Sequence, residues 1–342
     1  MKKDKKPIIA ITMGDPAGVG PEIVLKALQN GKTISACYPL VVGDSSVINR
    51  AAKLLGIQAI IRNVKSVKEA KWNSGVVNVF SIDQECRNIR YGQISAVAGE
   101  AGYQAIKGAI NLDLSREVAG TVTAPIHKEA LNLAGHKYPG QTEIYAGSTA
   151  TSDYTMLLIA GNLRVVHVST HVSLLEACKI VTQSRVESVI KLAHRAGEMI
   201  GIRSPKIGVA GLNPHASDGG LFGTEDLNEI TPAIKAMRFS GIDVEGPFPA
   251  DTLFPKANGG YFDFVVVMYH DQGHIPLKLL GFNWNSSANS WDSVEGVNIT
   301  LGIPIIRVSV DHGTAFDIAG TGKASDSSMV QAILYATKMA NV

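Results

Sequence analysis

The chain has 342 residues, 45% of them hydrophobic and 18% charged, enough for two ordinary domains or one large α/β unit of two lobes. Its 32 Lys and Arg nearly cancel 30 Asp and Glu, so no overall field holds nucleic acid or an anionic membrane, and an anionic ligand has to be recognised locally. Three widely spaced cysteines, Cys37, Cys86 and Cys178, fit a reducing compartment and argue against a thiolate metal centre.

The start is basic, with Lys2, Lys3, Lys5 and Lys6, but the apolar run 8–13 breaks at Gly14-Asp15-Pro16, too soon for a signal peptide. No apolar stretch reaches the length of a membrane span, and a cytoplasmic location is expected. Residues 8–13 read as a first strand. Gly14-Asp15-Pro16-Ala17-Gly18-Val19-Gly20-Pro21-Glu22 then leads into a helix whose first turn suits Pro21 and Glu22. The glycine order is G-x-x-x-G-x-G, neither the Rossmann fingerprint nor a P-loop; the glycines make a tight turn or line a ligand cleft. A strand at 39–42 and a helix from about Ser46 follow. Further on, helical periodicity marks residues 96–112, 174–181, 186–200 and 227–239, while short β-branched runs mark 118–124, 163–168, 207–211, 264–268 and 303–310. The alternation predicts a mixed or mostly parallel sheet with helices on both faces. A polar patch at 283–293, with Trp284 and Trp291, reads as a hairpin or loop beside the active site or at a subunit interface.

Five of the nine histidines follow such runs: His127, His171, His215, His270 and His312. Ligands of parallel α/β sheets bind beyond the carboxyl ends of the strands, so imidazoles gathered there predict a metal or proton-transfer site; singly, each could merely cap a loop. His171, His215 and His270 come from three separate strand ends, rather than from a local H-x-x-x-H or C-x-x-C pair, and would leave an open position on a divalent metal. Lys278 lies eight residues beyond His270. Asp251 is an isolated carboxylate, a functional group or a helix cap. Arg307 is a cation in the apolar strand 303–310 and needs an anionic partner, structural or substrate. Residues 311–320 form a Gly-containing loop with His312, Gly313 and Asp317, where a flat ligand can approach the backbone, unless Asp317 simply caps the next helix.

Taken in order, Met13-Gly14-Asp15-Pro16-Ala17-Gly18-Val19-Gly20-Pro21-Glu22, Thr123-Ala124-Pro125-Ile126-His127-Lys128, Gly211-Leu212-Asn213-Pro214-His215, Pro249-Ala250-Asp251-Thr252-Leu253-Phe254, Met268-Tyr269-His270-Asp271-Gln272-Gly273 and Gly296-Val297-Asn298-Ile299-Thr300-Leu301-Gly302 resemble the 4-hydroxythreonine-4-phosphate dehydrogenase family across nearly the whole chain. The resemblance implies an isocitrate/isopropylmalate-dehydrogenase-like α/β fold, one catalytic unit (1–342) of two interleaved lobes with a cleft between them. It also implies NAD bound without a Rossmann motif, one divalent metal ion (Zn, Mg, Mn or Co), and a homodimer with active sites at the interface. By the same resemblance His171, His215 and His270 match metal ligands, and Thr142, Lys278, Asn298 and Arg307 match substrate contacts. Gln141 stands where the family usually has His; it cannot transfer a proton and is left to donate a hydrogen bond. Residues 311–320, with His312, Gly313 and Asp317, look like a nicotinamide-nucleotide loop.

The stretch from Gly273 through the Trp-containing insert is more similar to the sister branch acting on 4-phospho-D-threonate or 4-phospho-D-erythronate. That implies oxidation at C3 and decarboxylation to dihydroxyacetone phosphate, with Lys278 as the catalytic group and Asp251 as a weaker candidate. The alternative is 4-phosphohydroxy-L-threonine oxidation in pyridoxal phosphate synthesis. A metal-dependent hydrolase or a catalytically idle sensor of phosphorylated acids would use the same histidines without NAD turnover.

Overall fold

The computed structural model describes residues 6–82, 84, 86–287 and 290–342, with 290–294 described by backbone alone; Lys2, Lys3, Lys5 and the side chain of Trp291 lie outside the described residues. The chain divides into two compact units, residues 1–152 with 303–341, and residues 153–302. Its strands, in chain order, are β1 Ile8–Thr12, β2 Tyr38–Gly43, β3 Ile60–Val64, β4 Val76–Ser81 and β5 Gly120–Thr123 in the first unit. The second holds β6 Thr155–Ala160, β7 Leu163–His167, β8 Ile207–Ala210, β9 Val244–Phe248, β10 Phe264–Val267, β11 Phe282–Asn285, β12 Ser290–Val294 and β13 Val297–Leu301. The chain returns to the first unit as β14 Arg307–Val310.

In the first unit six strands run in the order β3-β4-β2-β1-β5-β14, every neighbouring pair parallel. Parallel strands are covered on both faces and therefore read as continuous apolar runs, as Ile9–Thr12 does, fully buried. Local chemistry sets the helix ends: Asp44 accepts from the Ser46 and Val47 amides to start Ser45–Leu55, and Gly56, at φ 64°, ends it. One part of the core gathers Ile106, Ile110, Leu131, Ile144 and Tyr145, each aliphatic side chain contributing roughly 1.5–3 kcal/mol by burial.

The second unit has the order β13-β6-β7-β10-β8-β9. Here β7, β10, β8 and β9 are parallel, whereas β6 is antiparallel to both β7 and β13. The two-residue turn Gly161-Asn162, with Gly161 at φ 54°, makes the β6–β7 hairpin. Leu277 of the helix His270–Gly281 packs with Leu158, Leu163, Val165, Val265 and Val267 of the strands. The polar patch forms the expected hairpin, β11 pairing antiparallel with β12. The strand expected over 303–310 is shorter than its apolar run: Gly302 and Pro304 hold off regular pairing, so Arg307 opens β14 rather than sitting inside it.

In each unit three adjacent parallel strands deliver the candidate loops from their carboxyl ends. In the first, β1, β5 and β14 lead to residues 13–19, 124–127 and 311–320; in the second, β7, β10 and β8 lead to His171, His270 and His215.

Candidate active site

In the second unit His270 opens the helix His270–Gly281, and His274 and Lys278 follow it at four-residue steps. Those steps place all three on one helix face. The His270 and His274 rings stack at 3.6 Å, and the His171 ring lies 5.6 Å from that of His270. His270 Nδ1 donates to the Asp271 carboxylate at 2.7 Å, which fixes the tautomer with Nε2 unprotonated, the form that could hold a metal. Burial, then the neighbouring His270, pushes the His274 pKa down to about 4. Beneath it the fully buried His167 is pushed down to about 3, first by burial and then by His274. Both are neutral at physiological pH. Gly273 is required here, since a Cβ would stand 2.6 Å from His167 Nε2.

His215 does not join this group. It begins a run, 215–218, of four non-glycine residues at positive φ, and its ring meets Phe222 edge-on at 6.1 Å. Among the described residues no three His, Cys, Asp or Glu side chains converge as a metal set, so the chain brings together two of the three expected ligands. Asn298, on β13, has its Nδ2 3.5 Å from Met156 Sδ. Asp251 is exposed in the first turn of Ala250–Asn258, a helix that starts at Pro249 without a side-chain cap; the capping alternative is therefore not what the structure shows.

In the first unit Arg307 is 3% exposed. Its guanidinium donates to Thr123 Oγ1 at 2.9 Å and Thr142 Oγ1 at 3.3 Å, and lies 5.5 Å from the centre of the Tyr145 ring. Burial pulls its pKa down to about 10, which still leaves a cation at neutral pH. Gln141, beginning the same helix as Thr142, donates from Nε2 to the Ala124 carbonyl at 3.0 Å. A carbonyl only accepts, so the amide orientation is determined, and Oε1 is left buried without a partner among the described residues. Gln141 therefore donates one amide hydrogen within the chain and keeps Oε1 as a further acceptor.

Near Tyr145 in this unit, Asp113 sits buried in the last turn of Ala96–Leu114, where the helix dipole also disfavours negative charge. Burial raises its pKa from 3.8 to about 7. A carboxyl raised on folding contributes its full stability below the unfolded value and loses it as pH rises through the folded one. Stability is therefore expected to fall by about 3 kcal/mol between pH 4 and 7. Asp113→Asn should flatten this slope and raise Tm by several degrees at pH 8, but not at pH 4, in thermal melts across that range.

The three loops beyond β1, β5 and β14 are tied together. Asp15 N–H donates to Pro125 O at 2.8 Å, and Val19 N–H to Thr314 O at 3.0 Å. Gly14, at φ 72°, would place a Cβ 2.4 Å from Pro125 O, so the glycine turn is the tight turn that a side chain would not fit. His127 accepts from Ala130 N–H to cap Lys128–Leu133, and its ring stacks on Phe316 at 4.8 Å. Asp15 is 1% exposed; one carboxylate oxygen accepts from Ala17 N–H, and the other is buried without a partner among the described residues. His312 donates from Nδ1 to Gly313 O at 2.9 Å, while Gly313 faces open space at its missing Cβ. Asp317 is exposed and caps no helix, the next one being Ser327–Ala340.

His167 and His274 are the residues of this group that sequence reading missed. The local H-x-x-x-H pair set aside in reading the sequence is in fact present as His270-Asp271-Gln272-Gly273-His274 and could have found the second imidazole; His167, inside a strand, carried no such signal.

The chain gathers imidazoles beyond parallel strands of its second unit and, in its first unit, holds a buried guanidinium and a glycine-containing turn. Comparison with known proteins gives its class. A D-threonate 4-phosphate dehydrogenase of Cupriavidus necator is 44% identical over 338 residues, 98% of each chain. A 4-hydroxythreonine-4-phosphate dehydrogenase of Beijerinckia indica is 46% identical over 331 residues, 97% of this chain and 94% of that one. The crystal structure of a 4-hydroxythreonine-4-phosphate dehydrogenase from Burkholderia phymatum matches with a TM-score of 0.83 and 42% identity, covering 98% and 99% of the two chains. The protein is an oxidoreductase acting on a CH–OH group. It belongs to the family described as pyridoxal phosphate biosynthetic protein PdxA, whose sequence pattern matches residues 35–336, as the motif resemblance implied.

Proposed function

We propose that this protein oxidises the C3 hydroxyl of 4-phospho-D-threonate or 4-phospho-D-erythronate with NAD, and that the resulting 3-oxo acid loses CO2 to give dihydroxyacetone phosphate. The observation that carries this reading is the face of the helix His270–Gly281, on which His270, His274 and Lys278 line up beside His171. The names of the relatives support a phosphorylated hydroxy-acid substrate, and their identities, 44% and 46%, are nearly equal for the two names. The choice between substrates rests on the sequence from Gly273 through the Trp-containing insert that forms the hairpin β11–β12, which resembles the phosphothreonate branch.

His171, His215 and His270 would hold the metal. Two imidazoles on one tetrahedral cation have ring centres about 5 Å apart, given ~2.0–2.1 Å bonds, and the 5.6 Å between His171 and His270 suits that arrangement. The separate position of His215 supports a site completed by a second copy of the chain. So do the exposed Leu175 (73%) and Leu279 (79%), apolar side chains of the kind a homodimer interface would cover. Residues 311–320 suit the coenzyme: Gly313 leaves the backbone open to a planar ring, Phe316 and His127 stack nearby, and Asp15 offers an orphaned acceptor. His312, Gly313 and Asp317 are its proposed contacts.

When bound, NAD accepts the C3 hydride and a divalent cation acidifies the C3 hydroxyl. The residues supply the rest. Arg307 and Lys278 balance the charge of phosphate and carboxylate, Thr142 and Asn298 orient the substrate, and Gln141 Oε1 accepts from one of its hydroxyls. Lys278 polarises the C3 oxygen or takes its proton, Asp251 being the weaker candidate. Decarboxylation follows because the C3 ketone accepts the electron pair left by CO2.

Trapping the products of 4-phospho-D-threonate turnover tests the sequence of steps. Equal yields of NADH, CO2 and dihydroxyacetone phosphate are expected. Accumulation of the 3-oxo acid would contradict decarboxylation by this enzyme, and turnover without NAD would restore the hydrolase reading.

A further inference from the structure

In the first unit residues 311–326, between β14 and the helix Ser327–Ala340, contain no regular secondary structure, yet this segment carries the proposed coenzyme contacts. A loop that long has to be held by something other than its own hydrogen bonds. Glu22, in the first turn of the helix Gly20–Ala27, is 0% exposed. A buried carboxylate is costly unless its oxygens accept hydrogen bonds, and both do. Gly320 N–H donates to Glu22 Oε1 at 2.6 Å, and Gly322 N–H to Oε2 at 2.8 Å. One turn along, Lys26 Nζ donates to the carbonyls of Gly322 and Ala324, each at 2.6 Å. Gly320 and Gly322 lie at φ 78° and 71°, a left-handed conformation that turns their amides toward Glu22 at little cost only for glycine. The ring of Tyr91 closes over Gly320, 2.4 Å from where a Cβ would stand.

We infer that Glu22, assisted by Lys26, is a positioning residue for the coenzyme: it holds the 311–326 loop in its binding-competent shape through the Gly320 and Gly322 amides. This rests on the assignment of that loop to NAD. A glutamine keeps the size of Glu22 but has one acceptor and one donor group, so one of the two glycine amides would face an N–H. The loop would then sample other conformations, and the coenzyme would bind only to the fraction that is correctly formed.

The test compares wild type with Glu22→Gln in the full-length protein, by calorimetric titration with NAD and NADH, by steady-state kinetics, and by hydrogen exchange of the loop amides. The expected result is a rise of about tenfold or more in coenzyme Kd and KM, with kcat at saturating coenzyme within about twofold. Faster exchange is expected at residues 320–322, and none in the strands β1, β5 and β14. A variant that binds coenzyme as wild type does, or that loses kcat and KM together with sheet protection, overturns the inference. Wild-type protein that binds no dinucleotide at all overturns the coenzyme assignment itself. Should Glu22→Gln not fold, Lys26→Met releases the Gly322 and Ala324 carbonyls from the same helix. It should raise the coenzyme Kd about threefold, and an unchanged Kd there overturns the inference equally.

Discussion

Replacing His270 with alanine is expected to lower kcat at least about a thousandfold and to remove the bound divalent metal. His270 is the side chain on which the histidine group turns: its ring neighbours both His171 and His274, and its Nδ1 is held by Asp271. Deleting it removes a proposed metal ligand and the ring stacked on His274, while leaving the helix backbone intact. Asp271→Asn provides a graded companion. It keeps the ligand but weakens the hydrogen bond that orients it, and loss of such an outer partner typically costs 10–100-fold in metal affinity or activity. Metal content by mass spectrometry and kcat on metal-replete protein check both. A His270→Ala enzyme with full metal content and wild-type turnover would remove this group from the mechanism.

Arg307→Lys is expected to lower kcat/KM for the phosphorylated substrate by about 10²–10³-fold, equivalent to roughly 3–4 kcal/mol of transition-state binding. The charge is conserved, but the geometry is not. Arg307 spreads its guanidinium between Thr123 and Thr142 and lies over Tyr145, whereas an ammonium is a point charge without a planar fork. Burial already lowers the Arg307 pKa to about 10; a lysine starts from a lower value and is more easily neutralised in the same place. The activity of Arg307→Lys should therefore fall further as pH rises from 7 to 9, while wild type keeps its cation. A variant with unchanged kcat/KM and an unchanged pH profile would show that Arg307 is a structural cation.

The strands that carry the candidate residues were more legible in the sequence than the side chains packed around them. The β-branched runs before His171, His215, His270 and His312 were legible as β7, β8, β10 and β14 because buried parallel strands have no polar face. The antiparallel intrusion of β6 and β13 was not, since strand order depends on pairing between distant segments. At Arg307 an unusual cation in an apolar run was visible, but not that two threonine hydroxyls receive it. Glu22 read as an ordinary first-turn acid, for nothing local reveals that it accepts from glycines some 300 residues away. Gln141 shows the same limit, the orientation of its amide being set by the Ala124 carbonyl. Asp317 and Asp251 were each weighed as helix caps and cap nothing, because helix starts are fixed by backbone geometry as well as by residue type.

The most direct measurement is NADH formation by purified, metal-replete protein with 4-phospho-D-threonate, 4-phospho-D-erythronate and 4-phosphohydroxy-L-threonine side by side. A kcat/KM at least about tenfold higher for one of the first two is the result expected of an enzyme of sugar-acid catabolism. A preference for the third would contradict that assignment and place the enzyme in vitamin B6 synthesis, and silence with all three would contradict the dehydrogenase reading of these substrates altogether.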